Sequence, residues 1–446
     1  MNALLRIGGP LIVNYLAIAG IHFADAVMAG RLGANQLAAV AVGGSVWMLG
    51  FTFCLGILMS ISPIVSRCFG AGKLSIIGRY VRQGLWLSQA LGIAILVLAQ
   101  LFVRPLLDFI GIDLEFREMT IGYVRAIVFG MPAICAFLVF RFTTEGIGVT
   151  RPIMYTSLFS LASNVFGNWV LMYGNLGAPA LGATGCGLSS AITIWLMAII
   201  LGVYIYKSPR YRPLQIFSKI APLRWPELKE MLSLGIPISL TITAESGLFS
   251  AVAILIGTIS AQVAAAHQIA INFAATMFMI PLGISMATTV RVGHALGAGD
   301  VQAARLRGWI GISACALFML GSAGFLLSFR DLVVGLYTSD TSLQEIAISL
   351  LMMAAIFQVA DGVQIGAAAA LRGYKDTRMP MVINAFAYWV LAFPLAYLAA
   401  VTYRLPPRYI WGGFVIGLTV AAVMLSLRYR KIANRAAEAP WGGSDI

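Results

Sequence analysis

Leu55-Gly56-Ile57, Met59 and Gly70-Ala71-Gly72 return 227 residues later as Leu282-Gly283-Ile284, Met286 and Gly297-Ala298-Gly299. The same shift pairs Gly8 with Gly235, Pro10 with Pro237, Gly30 with Gly257, Ala38-Ala39 with Ala265-Ala266, Phe51 with Phe278 and Thr150-Arg151 with Thr377-Arg378. Shared apolar composition inflates such matches, but the loop pairs are not apolar and escape that objection. One ungapped offset reaching across four apolar segments marks the chain as a duplicated half.

The halves are membrane-embedded. The 446 residues are 60% hydrophobic and only 11% charged, where a soluble domain carries about 25% charged residues. A span needs about 20 apolar residues. Twelve segments qualify: 4–28, 36–62, 81–103, 121–143, 153–173, 181–206, 232–256, 262–290, 308–329, 346–370, 379–400 and 408–427. The expected fold is therefore all-α, a polytopic membrane protein with twelve transmembrane helices in two six-helix halves. Six spans return the chain to its starting side, so the halves are parallel repeats related by an axis along the membrane normal. The expected division is an N-terminal lobe 1–206, a linker 207–231 containing Pro209, Pro213, Pro222 and Pro226, a C-terminal lobe 232–427 and a tail 428–446. Transporters built from such repeats bind cargo near the bilayer midplane and alternate access by rocking one half on the other.

The net charge of +13 is explained by its distribution. With the N-terminus in the cytoplasm, 23 of the 30 Lys and Arg fall on cytoplasmic segments; Arg31, Arg104, Arg117, Arg125, Arg330, Arg404 and Arg408 are the seven on the other face. This positive-inside bias places both termini in the cytoplasm, and the basic patches read as topology signals and lipid-headgroup contacts, not as a nucleic-acid surface. The first apolar run begins almost at Met1 and is too long for a signal-peptide core, so it is read as the first span. Cys54, Cys68, Cys135, Cys186 and Cys315 have neither paired nor metal-ligand spacing.

Charge inside the spans is the functional clue. Of 17 Asp and Glu, 14 lie in or beside polar loops, Glu145 among them as half of an interfacial pair with Arg141 and Arg151. Asp25, Glu245 and Asp361 are instead embedded in long apolar stretches. A charge near the bilayer centre costs about 2.5–3.5 kcal/mol on insertion scales, so such residues mark ion or substrate pathways. They also break the repeat: Asp25 corresponds to Val252, Glu245 to Ile18 and Asp361 to Ile134.

Several segments resemble the multidrug and toxic compound extrusion (MATE) family, in its NorM-like branch. They are Asp25-Ala-Val-Met-Ala-Gly30, Ala265-Ala-His-Gln-Ile-Ala-Ile-Asn-Phe273, Pro281-Leu-Gly-Ile-Ser-Met-Ala287 running into Arg291-Val-Gly-His-Ala-Leu-Gly297, Asp361-Gly-Val-Gln364 and Leu371-Arg-Gly-Tyr-Lys-Asp376. The resemblance covers nearly the whole chain. It implies a bacterial inner-membrane antiporter that exports amphipathic, mostly cationic organic compounds in exchange for Na⁺ or H⁺. It further implies coupling acids in spans 1, 7 and 10, matched by Asp25, Glu245 and Asp361, and a polar pair in span 5, matched by Asn164 and Asn168. Some relatives carry Asp at the second position of that pair, and Asn168 cannot titrate. His22 also departs from the family pattern.

Physical roles follow for these residues. Two carboxylates sharing a low-dielectric cavity cannot both ionise cheaply, so Glu245 and Asp361 are expected to take up H⁺ or a metal ion; carboxylate and carbonyl oxygens are suitable hard ligands, which points to Na⁺ by analogy. Gln364, one turn beyond Asp361, and Gln268 and Asn272 on one face of span 8 are candidates to complete an oxygen cage, with interhelical hydrogen bonding as the alternative. Asn164 and Asn168 sit at i and i+4, on one face, placed to receive a protonated Asp25; His22 is either a partner of Asp25 or a passive polar residue near the outer surface. Phe357, one turn before Asp361, is the favoured aromatic contact for cargo. His267 reads as a packing residue.

Other classes fare worse. No Walker Lys-Ser/Thr signature or HExxH motif is present, so neither a nucleotide-driven pump nor an enzyme is expected, and no cofactor is implied beyond the coupling ion. The alternative is a flippase for a lipid-linked precursor. Such a protein needs Arg or Lys inside its cavity to hold a diphosphate, and the basic residues here are read as clustering at span ends. A complete two-half pathway in one chain implies a functional monomer in the lipid bilayer.

Overall fold

A computed structural model describes residues 2–218, 221–338 and 340–438. Twelve long helical segments follow in order: α1 (Asn2–Leu32), α2 (Ala34–Gly70), α3 (Leu74–Ile110), α4 (Leu114–Gly146), α5 (Arg151–Leu171), α6 (Gly182–Lys207), α7 (Trp225–Gly257), α8 (Ala261–Gly297), α9 (Val301–Gly335), α10 (Thr341–Gly373), α11 (Arg378–Thr402) and α12 (Pro407–Glu438). Each expected span overlaps one of them, and most helices run several residues past the apolar stretch at one end or both. Among the described residues, eleven of the twelve are long and apolar enough to cross a membrane. The remaining one is α5, whose hydropathy is lowered by Ser157, Ser160, Ser163, Asn164 and Asn168. The expected tail is helical to Glu438, and 439–446 lie outside the described residues.

Local sequence explains the breaks. α2 interrupts after Leu58 and resumes at Ile61; Pro63 has no N–H to return to the carbonyl four residues back, and its ring crowds that carbonyl. Gly111 ends α3 in the left-handed conformation at φ 76°, where a residue without Cβ is at no disadvantage.

The chain packs as two compact units, and the grouping differs from its covalent halves. One unit comprises 13–65 and 73–239; the other comprises 1–12, 66–72 and 240–446. The boundaries in α1 and α7, after Ile12 and after Ser239, fall at matched positions of the repeat. Glycine permits the close approaches involved. A Cβ on Gly235 would lie 2.3 Å from the Ile57 carbonyl oxygen, and one on Gly283 would lie 2.6 Å from Ile12 Cγ1.

Within the first unit the linker is tied to α3. Gln83 donates from Nε2 to the Pro222 carbonyl at 2.8 Å and accepts from the Arg224 amide at 2.9 Å; Trp86 donates to the Ala221 carbonyl at 3.1 Å. Burial pushes the Tyr211 phenol up to about 12, so its hydroxyl stays protonated and donates to Thr144 Oγ1 at 3.4 Å.

The repeat changes register inside α11. Buried residues of α5 match those of α11 at the offset of 227 through Ile153/Pro380, Thr156/Ile383, Ser157/Asn384 and Ser160/Ala387. Phe386–Ala392 then forms wider π-type turns, and beyond them the match is one residue longer: Asn164 and Asn168 correspond to Ala392 and Ala396, all four buried. α12 follows α6 at this longer offset. Tyr388, fully buried, is the additional inward residue.

Candidate functional site

Each unit carries one cluster of buried polar groups around the acids. In the unit of 13–65 and 73–239, the inner face of α5 presents Asn164 and Asn168 one turn apart, and α1 presents Asp25 to them. Asn168 Nδ2 donates to Asp25 Oδ1 at 2.6 Å and to Asn164 Oδ1 at 3.3 Å. Asn164 Nδ2 continues to Ser190 Oγ at 3.2 Å on α6. The Cys186 thiol, also on α6, lies against the same carboxylate. Asp25 is thus enclosed by neutral dipoles. His22 is exposed, and the groups holding Asp25 are Asn168, Asn164 and Cys186, not His22.

A second buried cluster occupies the same unit, and it refines the sequence reading. Arg141 and Glu145 form the expected pair, but enclosed by protein: they are 3% and 0% exposed, and Arg141 Nε donates to Glu145 Oε1 at 2.7 Å. The guanidinium lies 5.0 Å above the Tyr15 ring of α1. Beside Tyr15 in sequence, Asn14 Oδ1 accepts from Ser157 Oγ of α5 at 2.5 Å. A charge at the end of an apolar run looks interfacial in sequence because hydropathy gives depth but not which way a side chain points.

In the other unit, Glu245 of α7 and Asp361 of α10 are close enough to act on each other electrostatically. Arg372, near the end of α10, acts on Glu245. Arg372 stands in the last turn of α10, at a helix end as expected, but its side chain is buried in the protein. Asp361 is 6% exposed and its Oδ1 has no hydrogen-bond partner among the described residues. Tyr388 of α11 faces both acids and Gln364. One turn before Asp361, Gln358 is fully buried and accepts from Ser322 Oγ of α9 at 3.0 Å. Gln358, Arg372, Tyr388 and Cys186 were not anticipated. A Gln within an apolar helix, one turn from the acid, was the available signal for Gln358.

Three expected contacts lie elsewhere. Gln268 and Asn272 share a face of α8, but that face is exposed, together with Thr276, and no hydrogen bond joins them to either acid among the described residues. On α7, Thr243, Ser246 and Ser250 are likewise exposed while Glu245 is half-buried. Polar stripes of this kind within apolar helices belong beside water-filled space, not hydrocarbon. Phe357 is a core residue, not a cargo wall: it is 2% exposed and packed by Phe249, Trp411 and Phe414, with ring centroids 6.5, 5.6 and 6.0 Å away. His267 accepts from Trp411 Nε1 at 3.2 Å, a packing role.

The arrangement offers one acid solvated by amides and a second site of two acids, in which Asp361 Oδ1 has no hydrogen-bond partner among the described residues. Among the described residues no group of three or more His, Cys, Asp or Glu is placed to hold a metal ion.

Comparison with known proteins agrees with the fold and the repeat. The MatE family model matches twice, over residues 10–170 and 237–398, so its two starts reproduce the offset read from the sequence and its ends differ by the one extra residue of α11. The chain is 37% identical to the multidrug resistance protein PmpM of Pseudomonas aeruginosa, covering 98% of this chain and 92% of that protein. It is 39% identical to a probable multidrug resistance protein NorM of Xanthomonas axonopodis pv. citri, covering 96% and 93%. Among solved structures it resembles a MATE protein in its bent conformation (TM-score 0.90, 21% identity, 98% and 96% covered) and a MOP superfamily transporter from Pyrococcus furiosus noted for a binding pocket of reverse polarity (TM-score 0.87, 22% identity, 98% and 96% covered). With the helices, the duplicated architecture and the full-length relatives in agreement, the chain belongs to the MATE family of multi-span membrane transporters.

Proposed function

We propose that the chain is an antiporter of the bacterial cytoplasmic membrane that exports amphipathic, mostly cationic compounds in exchange for inward Na⁺ or H⁺. Both termini are cytoplasmic, and lobes 1–206 and 232–427 rock about the linker 207–231 to alternate access. The observation that carries this reading is the Glu245–Asp361 pair, set in apolar helices with Glu245 half-buried, Asp361 buried and Asp361 Oδ1 without a hydrogen-bond partner among the described residues. Such a pair is stabilised by a bound cation or proton and costs free energy when empty, which is what coupling requires. Asp25, held by Asn168 and Asn164, is the coupling acid of the other half. The exposed polar faces of α7 and α8, including Gln268 and Asn272, line the aqueous route, and a single chain performs the whole cycle.

The flippase alternative gains one supporting observation, the buried Arg372. That guanidinium acts on Glu245, so a diphosphate would have to compete with a carboxylate for it. Cation export remains the better reading. The test is retention of a fluorescent lipophilic cation in pump-deficient bacteria expressing this chain or Asp361→Asn at matched membrane levels. Faster dye loss with the unmodified chain, absent in the variant, is expected; equal retention in both sinks the proposal and favours lipid cargo.

A further inference from the structure

We infer that each half of the chain carries a groove for one anionic phospholipid of the cytoplasmic leaflet, acyl chain along the groove and headgroup on an arginine at its end. The first groove lies between α3, α4 and α6 and has two adjoining parts of about 410 and 450 Å³ that share Gln89 and Phe217. The second, of about 550 Å³, lies between α9, α10 and α12. Seven lining residues of the first correspond to seven of the second through the repeat. Pro132, Ala133 and Ala136 of α4 match Val359, Ala360 and Val363 of α10 at the offset of 227. Trp195, Ala198, Ile199 and Gly202 of α6 match Val423, Ser426, Leu427 and Arg430 of α12 at the longer offset that follows the wide turns of α11.

Three observations specify the occupant. The walls are apolar and lipid-facing: Trp195, Ile199, Val423 and Leu427 are all exposed. The lining runs from Trp195 to Tyr206 along α6 and from Thr419 to Arg430 along α12. At 1.5 Å per residue each is roughly 16 Å long, about half the thickness of a bilayer's hydrocarbon core and so the reach of one acyl chain.

Charge supplies the third. Arg82 closes the first groove, with Arg79 and Arg224 close enough to act on it; among the described residues Glu227 is the one carboxylate paired with those two, at 3.6 and 3.8 Å. Arg430 closes the second. The arginines are not repeat equivalents, since Trp309 stands where Arg82 would be and Gly202 where Arg430 would be. The charge is present at the same end of both grooves although different helices provide it. The basic-residue bias assigns that end to the cytoplasmic face, where anionic lipid is attracted to arginine.

Purified full-length protein, stripped of lipid in mild detergent, would be titrated with phosphatidylglycerol or phosphatidylcholine of identical chains and weighed intact by native mass spectrometry. Two retained phosphatidylglycerols are expected, with phosphatidylcholine weaker by about fivefold at each site, the size expected for one arginine at a headgroup. Ile199→Trp should leave one site and Ile199→Trp with Leu427→Trp none, while Leu98→Trp, lipid-facing outside both grooves, should leave two. Arg82→Gln should remove the headgroup preference at the first site and Arg82→Lys restore it. Should Ile199→Trp not fold, Val423→Trp tests the second groove independently. Retention unchanged by groove filling, or equal retention of the two lipids by the unmodified chain, overturns the inference.

Discussion

In the unit containing α3 to α6, the buried arginine and its carboxylate are locked together on one helix, Arg141 on Glu145 at 2.7 Å, and Asp25 is left to amides and a thiol. In the other unit, the residue matching Glu145 through the repeat is itself an arginine, Arg372, and it acts on Glu245. Position 368, which matches Arg141, is an alanine. Exchanging two residues on a shared scaffold has moved the cation from a closed structural pair to the ionisable cluster. A buried acid can be kept by surrounding dipoles, as Asp25 is, or by a neighbouring charge, as Glu145 is.

The comparison breaks most visibly at Arg141. Arg141→Met leaves Glu145 buried without its partner, so a loss of about 3–5 kcal/mol is expected, read as a fall in melting temperature of the purified protein. Arg141→Met with Glu145→Leu should recover most of it, and a double variant no better than the single would show that the charges are not the cause. Arg372→Gln sharpens the contrast. It should leave the protein folded but make dye efflux depend more strongly on Na⁺ or protons, because the acid pair then lacks its fixed counter-charge; an unchanged ion dependence would remove Arg372 from the cluster. Asn168→Leu deletes the 2.6 Å bond to Asp25, worth about 1.5–3 kcal/mol when the acceptor is ionised. Export should slow in that variant at normal membrane levels, and wild-type rates would leave Asp25 without need of its amide. The smallest effect is expected from Ser322→Ala, which loses the bond to Gln358 for about 1 kcal/mol of stability and no change in export.

Much of this was legible in the sequence. Apolar length gives spans directly, the loop glycines expose the duplication, and Asp25, Glu245 and Asp361 stand out because charge is scarce. Asn164 and Asn168 were found through the family resemblance and do meet Asp25. Azimuth was not legible. A helix turns about 100° per residue, so Gln268 and Asn272 were correctly placed on one face but that face is open, while Phe357 points into the core. Arg141, Glu145 and Arg372 lie at the ends of apolar runs, where composition cannot separate a headgroup contact from a buried one. Cys186 is invisible to spacing rules because its partner lies on a different helix.

The wide turns of α11 have a consequence for how a duplicated protein diversifies. A substitution changes one side chain and leaves its direction alone. An inserted residue rotates everything downstream by more than a quarter turn unless a wider turn takes up the excess, and Phe386–Ala392 provides one. The helix keeps its ends and its buried stripe, and it gains Tyr388 as a new inward side chain beside the acids. Ala392 and Ala396 then occupy the places of the two asparagines, so the second copy has no amide ladder to offer an acid on its own first helix. One added codon in an ancestral repeat is enough to make two copies of a helix chemically unlike while they remain alike in shape.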